Sequence, residues 1–131
     1  MPDLFLLISH ELTETQRYEA AEVLGCERII SLPVHLQTSW SNVDSEVEDI
    51  GGPAAVFIGW LESNSREGDF CHIQGDFGMT FLLVDWALKH GREPVYSSTE
   101  RVFETHTAGD GAIVNTHRFR HVRFRHYRTY G

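Results

Sequence analysis

Residues 3–33, DLFLLISHELTETQRYEAAEVLGCERIISLP, decide the fold. Within 3–8, DLFLLI, the run from Leu4 to Ile8 is continuously apolar and bounded by charge, as expected of a strand buried on both faces. Thr13 and Gln16 have capping-box spacing, Tyr18, Ala21 and Leu24 fall on one helical stripe, and Gly25 supplies a stop, so a helix follows. Residues 28–32 then read as a second strand ending at Pro33. A strand, a helix and a strand within about thirty residues make a parallel crossover unit.

Working outward, Val43, Val47 and Ile50 have helical spacing, interrupted by Gly51-Gly52-Pro53. Pro53 can open a further helix carrying Val56, Phe57, Trp60 and Leu61. FCHIQ at 70–74 predicts a third strand, and FGMTFLLVDWALKH at 77–90 a strongly apolar helix closed by Gly91. EPVYS at 93–97 predicts a fourth strand. After Thr99 the pattern changes: 101–107 and 112–127 read as extended segments joined by a hairpin at Ala108-Gly109-Asp110-Gly111. The expectation is an α/β fold with a mostly parallel sheet, helices on both faces and a C-terminal β-hairpin, as one domain over residues 1–131.

At 131 residues and 41% hydrophobic, the chain has material for one packed core. The apolar N-terminal run is too short to span a bilayer and lacks a basic leader, so no membrane role is expected. Cys26 and Cys71 lack redox or metal spacing and read as core thiols of a cytoplasmic protein. The net charge of −8 is unevenly spread. All 19 carboxylates lie at or before Asp110, leaving −13 up to there and +5 after it. An acidic body argues against non-specific binding of long nucleic acid. The tail arginines 118, 120, 123, 125 and 128 can hold phosphates, pair with the acidic body or line a dimer seam, the seam being the favoured single role. His117, His121 and His126 lie in an extended segment, where residues four apart are about 13 Å apart, so no metal site is expected.

Ligands of open parallel sheets bind outside the carboxyl ends of the strands. Ser9 and His10 follow the first strand, His35, Gln37 and Trp40 the second, Gln74-Gly75-Asp76-Phe77-Gly78 the third, and Ser97, Ser98 and Thr99 the fourth. Glycines at the third strand-to-helix turn allow close backbone approach, and N–H groups at a helix start suit phosphate. Asp76 can equally be an N-cap. His10 can move protons or merely bond backbone. Trp40 can stack on a base or sit in the core, and Arg101 can hold a phosphate or make a surface ion pair. A Ser9–His10–Asp76 hydrolase triad is disfavoured, because adjacent strand residues face opposite ways and no nucleophile elbow is present.

Several stretches together carry a resemblance. Leu4 to His10 with Leu12-Thr13 and Gln16, Leu36-Gln37-x-x-Trp40, Gln74 to Gly78, Tyr96 to Arg101, Asp110-Gly111 and His117-x-Phe119-x-His121-Val122-x-Phe124-Arg125 resemble the Csx-twenty ring nucleases of type III CRISPR systems. The likeness runs from residue 4 to about 127, apart from Val43 to Gly68. It implies a Rossmann-like fold related to the CARF sensors, and a homodimer. It further implies metal-independent cleavage of cyclic tetra-adenylate to linear di-adenylate, which switches off antiviral signalling. The ribose 2′-hydroxyl would attack the adjacent phosphate, the protein aligning it and stabilising charge. On this reading His10 transfers a proton, Asp76 orients His10 or a ribose, and Arg101 holds phosphate. Ser9, Ser98, Thr99 and the backbone of Gly75, Phe77 and Gly78 bind phosphate, while Gln37, Trp40 and Gln74 recognise base or sugar. No cofactor is implied. Two other classes stay open: a non-catalytic protein that sequesters the ring, and an unrelated mononucleotide-binding domain.

Overall fold

A computed structural model describes all 131 residues. The elements run β1 (Leu4–Leu7), α1 (Glu14–Glu22), β2 (Ile29–Ser31), α2 (Val34–Ser41), α3 (Gly51–Asn64), β3 (Phe70–Ile73), α4 (Phe77–Lys89), β4 (Glu93–Thr107) and β5 (Ile113–His126). They form a five-stranded sheet of order β2-β1-β3-β4-β5, parallel except for the antiparallel β4–β5 pair. The chain is thus an α/β protein with a mostly parallel sheet and an antiparallel C-terminal hairpin. No helix is long and apolar enough to cross a membrane.

Strand alternation sorts the core into two layers. Phe5, Leu7, Cys71 and Ile73 pack against α2, α3 and α4 through Leu36, Trp40, Phe57, Leu61, Met79 and Leu83. Leu4, Leu6 and Ile8 face the other way, toward Ala20 of α1 and Phe124 of β5. Burial pushes the Cys26 thiol up to about 11 and Cys71 up to about 12, so both are inert core groups. At the amino ends of the strands, buried Asp3 accepts from the Arg28 guanidinium (2.7 Å), which holds its carboxyl below the usual range. Asp69 accepts from the Asp3 backbone N–H beside it.

α1 starts where its capping box predicts, with Thr13 Oγ1 accepting from Gln16 N and Gln16 Oε1 accepting from Thr13 N. The expected stripe is corrected, however: Tyr18 and Ala21 face solvent, and Gln16 and Ala20 are the buried pair. Residues 34–41, expected as a loop, form α2, because Leu36 and Trp40 sit one turn apart on a buried side. Val43, Val47 and Ile50 precede a helix rather than form one. Gly51-Gly52-Pro53 begins α3 instead of interrupting it, since a first-turn proline lacks only an N–H that would be unpaired there anyway. β4 does not stop near Thr99 but runs on to Thr107, absorbing a bulge between Ser98 and Thr99.

Candidate functional site

β1 and β3 are neighbours whose connections leave in opposite directions, so the crevice beyond their carboxyl ends is the topological switch point. α2 braces both ends. Gln37 Nε2 donates to the Ile8 carbonyl at 2.7 Å, and Trp40, one turn on, donates from Nε1 to the Gln74 carbonyl at 3.3 Å. The second contact corrects the reading of Trp40, and the first gives Gln37 a structural tie beside the cleft. Trp40, 2% exposed, stacks edge-on against Phe57 in the core and offers no face to a base. The Gln37 side chain ties α2 to β1.

Beyond β1, a cleft of about 430 Å³ is lined by Ser9, His10, Arg17, Ser31, Gln37 and Thr38 among others. His10 Nδ1 lies 3.0 Å from the Glu11 carbonyl. A carbonyl can only accept, so Nδ1 carries the proton and Nε2 of the neutral ring keeps its lone pair for a base's task. Arg17 on α1 brings a cation to the same cleft, a residue the sequence reading passed over. The available signal was its place in the first turn of a capped helix that follows a strand end.

The loop after β3 does less for a ligand than its glycines suggested. A Cβ on Gly75 would lie 2.8 Å from the Trp40 ring, and one on Gly78 2.8 Å from Ile50 Cδ1. Both glycines therefore admit protein side chains rather than a ligand. Asp76 is an N-cap, its Oδ2 accepting from Met79 N at 3.0 Å. Its exposed position leaves Oδ1 open to solvent. Phe77 is 95% exposed at the start of α4, so it, rather than Trp40, presents an unstacked ring at this edge.

Arg101 does not converge with these groups. β4 pairs with β3 only as far as Val95. Arg101 lies six residues on, about 20 Å along the strand. There β4 and β5 form a two-stranded arm exposed on both sides. Thr99 opens that arm, and Ser98 lies half-buried just before the bulge. Arg118 and Arg120 pair within the arm, with Glu104 (2.8 Å) and Glu100.

A polar chain the sequence reading missed lies on the α1 face. The Ser97 backbone N–H donates to Gln74 Oε1 at 2.8 Å, so that atom is the amide oxygen. His72 Nε2, 2.6 Å from the same oxygen, must then be the protonated nitrogen, which leaves Nδ1 bare, buried and unpartnered. Burial pushes His72 down to about 4, against the opposing pull of the Gln74 bond. With its oxygen doubly engaged, Gln74 keeps an amide group free for a ligand. Ser97 Oγ meets His121 Nδ1 at 2.5 Å, and His121 Nε2 meets Glu19 Oε1 at 2.6 Å. Glu19 also accepts from the Phe124 N–H, docking α1 on β5. Tyr127 donates to the Ile73 carbonyl at 2.8 Å and so holds the end of β3. No group of three or more His, Cys, Asp or Glu side chains comes together as a metal-ligand set.

Residues 2–125 match the family described as "Uncharacterized protein MJ1673 family". The protein "Uncharacterized protein MJ1673" of Methanocaldococcus jannaschii is 38% identical over 130 residues, which cover 99% of this chain and 100% of the relative. No solved structure matches the chain.

Proposed function

The chain belongs to the MJ1673 family, and we propose that it is a metal-independent ring nuclease that cleaves cyclic tetra-adenylate to linear di-adenylate. The observation that carries this reading is the cleft beyond β1, where a hydroxyl (Ser9), an imidazole with a bare nitrogen (His10) and a guanidinium (Arg17) meet. Self-cleavage of an RNA-like phosphodiester needs a base for the 2′-hydroxyl proton and donors for the phosphate, and these groups supply both. The 2′-oxygen bonds to phosphorus, its proton passes to His10 Nε2, and the phosphorus–5′-oxygen bond breaks, the 5′-oxygen taking a proton from water and leaving a 2′,3′-cyclic phosphate. Arg17 takes the phosphate-holding role expected of Arg101. The free amide of Gln74 and the exposed ring of Phe77 suit an adenine, and Asp76 Oδ1 a ribose hydroxyl.

The resemblance supports a Rossmann-like domain related to the CARF sensors, with a cytoplasmic role in shutting down type III CRISPR antiviral signalling. A homodimer fits this role, since a two-fold assembly presents two equal sites to a two-fold ring. The arm, with Phe103, Ile113, Phe119 and Val122 exposed, is the proposed seam.

Labelled cyclic tetra-adenylate incubated with the protein in EDTA tests the reading. Conversion to di-adenylate is expected, with His10→Ala slowing single-turnover cleavage about 100-fold or more. Arg17→Ala is expected to cost more than Arg101→Ala. Binding of an intact ring would make the protein a sequestering one, and no binding would remove the ring-nuclease reading.

A further inference from the structure

The polar chain under α1 has an order of donors and acceptors that docking alone does not require. Two bonds from Glu19 to the Phe124 N–H already fix α1 on β5. Glu19 takes a second donor, His121 Nε2–H, so the imidazole turns its Nδ1 lone pair toward Ser97. The Ser97 hydrogen is then committed to His121, and its oxygen lone pairs are left free. This is the carboxylate–imidazole–hydroxyl sequence that activates a nucleophilic serine, with the two ring nitrogens exchanged relative to the serine proteases. The Gln74 amide is held by its oxygen to the Ser97 backbone N–H and to His72, and its N–H donors make no bond within the chain.

We propose that Ser97 is an acyl-accepting nucleophile, with His121 as its base, Glu19 positioning the imidazole and the Gln74 amide receiving the acyl oxygen. Ser97 is 8% exposed, so only a small acyl group can reach it, and the substrate class is a short-chain carboxylic ester. Ser97 Oγ bonds to the ester carbon and its proton passes to His121 Nδ1. The carbon–oxygen bond to the alcohol then breaks, and the alcohol leaves with that proton. Water attacks the acyl-serine, giving one proton through His121 back to Ser97 Oγ and releasing the acid. This centre shares the Gln74 amide with the ring-cleavage reading but does not depend on ring cleavage, and it survives that reading's failure.

The test uses the full chain with p-nitrophenyl acetate, followed by rapid quenching and peptide mass analysis. The expected result is turnover with one acetyl group on the peptide that contains Ser97, both lost in Ser97→Ala. His121→Asn is expected to slow acetylation about 1000-fold. Glu19→Gln should lower kcat about 100-fold with KM within about twofold while its urea midpoint stays high enough that the protein is fully folded in the assay. Should Glu19→Gln fail to fold, Ser97→Ala, which removes one oxygen atom, decides alone. Acetylation elsewhere, no acetylation, or Ser97 acetylation at an undiminished rate in His121→Asn would each overturn the proposal.

Discussion

Two phenylalanines of β5, five residues apart, sit in opposite surroundings. Phe124 is 2% exposed, edge-on to His72 at 5.1 Å and tilted against His121 at 4.8 Å. Phe119 is 73% exposed on the arm. β4 pairs with β5 through both regions, so the ladder of backbone bonds is common to them. What differs is the cover on the faces. Backbone bonds exchange protein for water with little net gain, whereas buried apolar area gives the stability. A bare two-stranded ribbon is marginal for the same reason.

The largest expected effect comes from removing one ring in each region. Phe124→Ala should cost about 3–5 kcal/mol in urea unfolding, and Phe119→Ala within about 0.5 kcal/mol at dilutions where the proposed dimer has dissociated. Equal losses would break the contrast and mean that the arm is covered too.

Next comes a test confined to the covered side. His72 takes a proton near pH 6.5 when unfolded, but burial holds the folded ring neutral to about 4. Between those values the unfolded state binds more protons, so stability falls as pH drops. His72→Leu should remove on the order of 3 kcal/mol of that fall at pH 4. Comparing urea midpoints of the two proteins at pH 7 and pH 4 checks this.

The smallest effect belongs to the arm. Arg120→Ala breaks its exposed pair with Glu100 and should cost no more than about 0.5 kcal/mol, vanishing in high salt. Thermal midpoints at low and high salt measure it. A salt-resistant loss would show that the pair is shielded from water.

The same contrast governs what could be read from the chain alone. β1, the α1 cap and α4 were legible because local signals fix them: an unbroken apolar run, a Thr13–Gln16 box, and Asp76 before a long apolar stripe. α2 was not, because its two apolar anchors, Leu36 and Trp40, are scattered among Gln, Thr and Ser. Of the site, Ser9 and His10 were found from their place at a strand end, while Arg17 was missed. Arg101 was misplaced because a strand end inferred near Thr99 is in fact mid-strand. The Glu19–His121 contact joins residues 102 positions apart, and no local pattern in either segment announces it. Glu19 even lies off the stripe that periodicity picked out.

β5 is also the outer margin of the sheet, and over its 14 residues one side of its backbone has no neighbouring strand. Such a margin is a template on which other extended chains can assemble into aggregates. Nothing in its sequence interrupts it: no proline occurs between Ile113 and His126. What guards it is charge: Arg118 and Arg120 are matched by Glu104 and Glu100, but Arg123 and Arg125 have no paired carboxylate and repel approaching copies. The acid-free tail is therefore a solubility device as well as a phosphate or seam candidate. Its protection weakens as salt rises, so the protein stays dispersed best in dilute buffer.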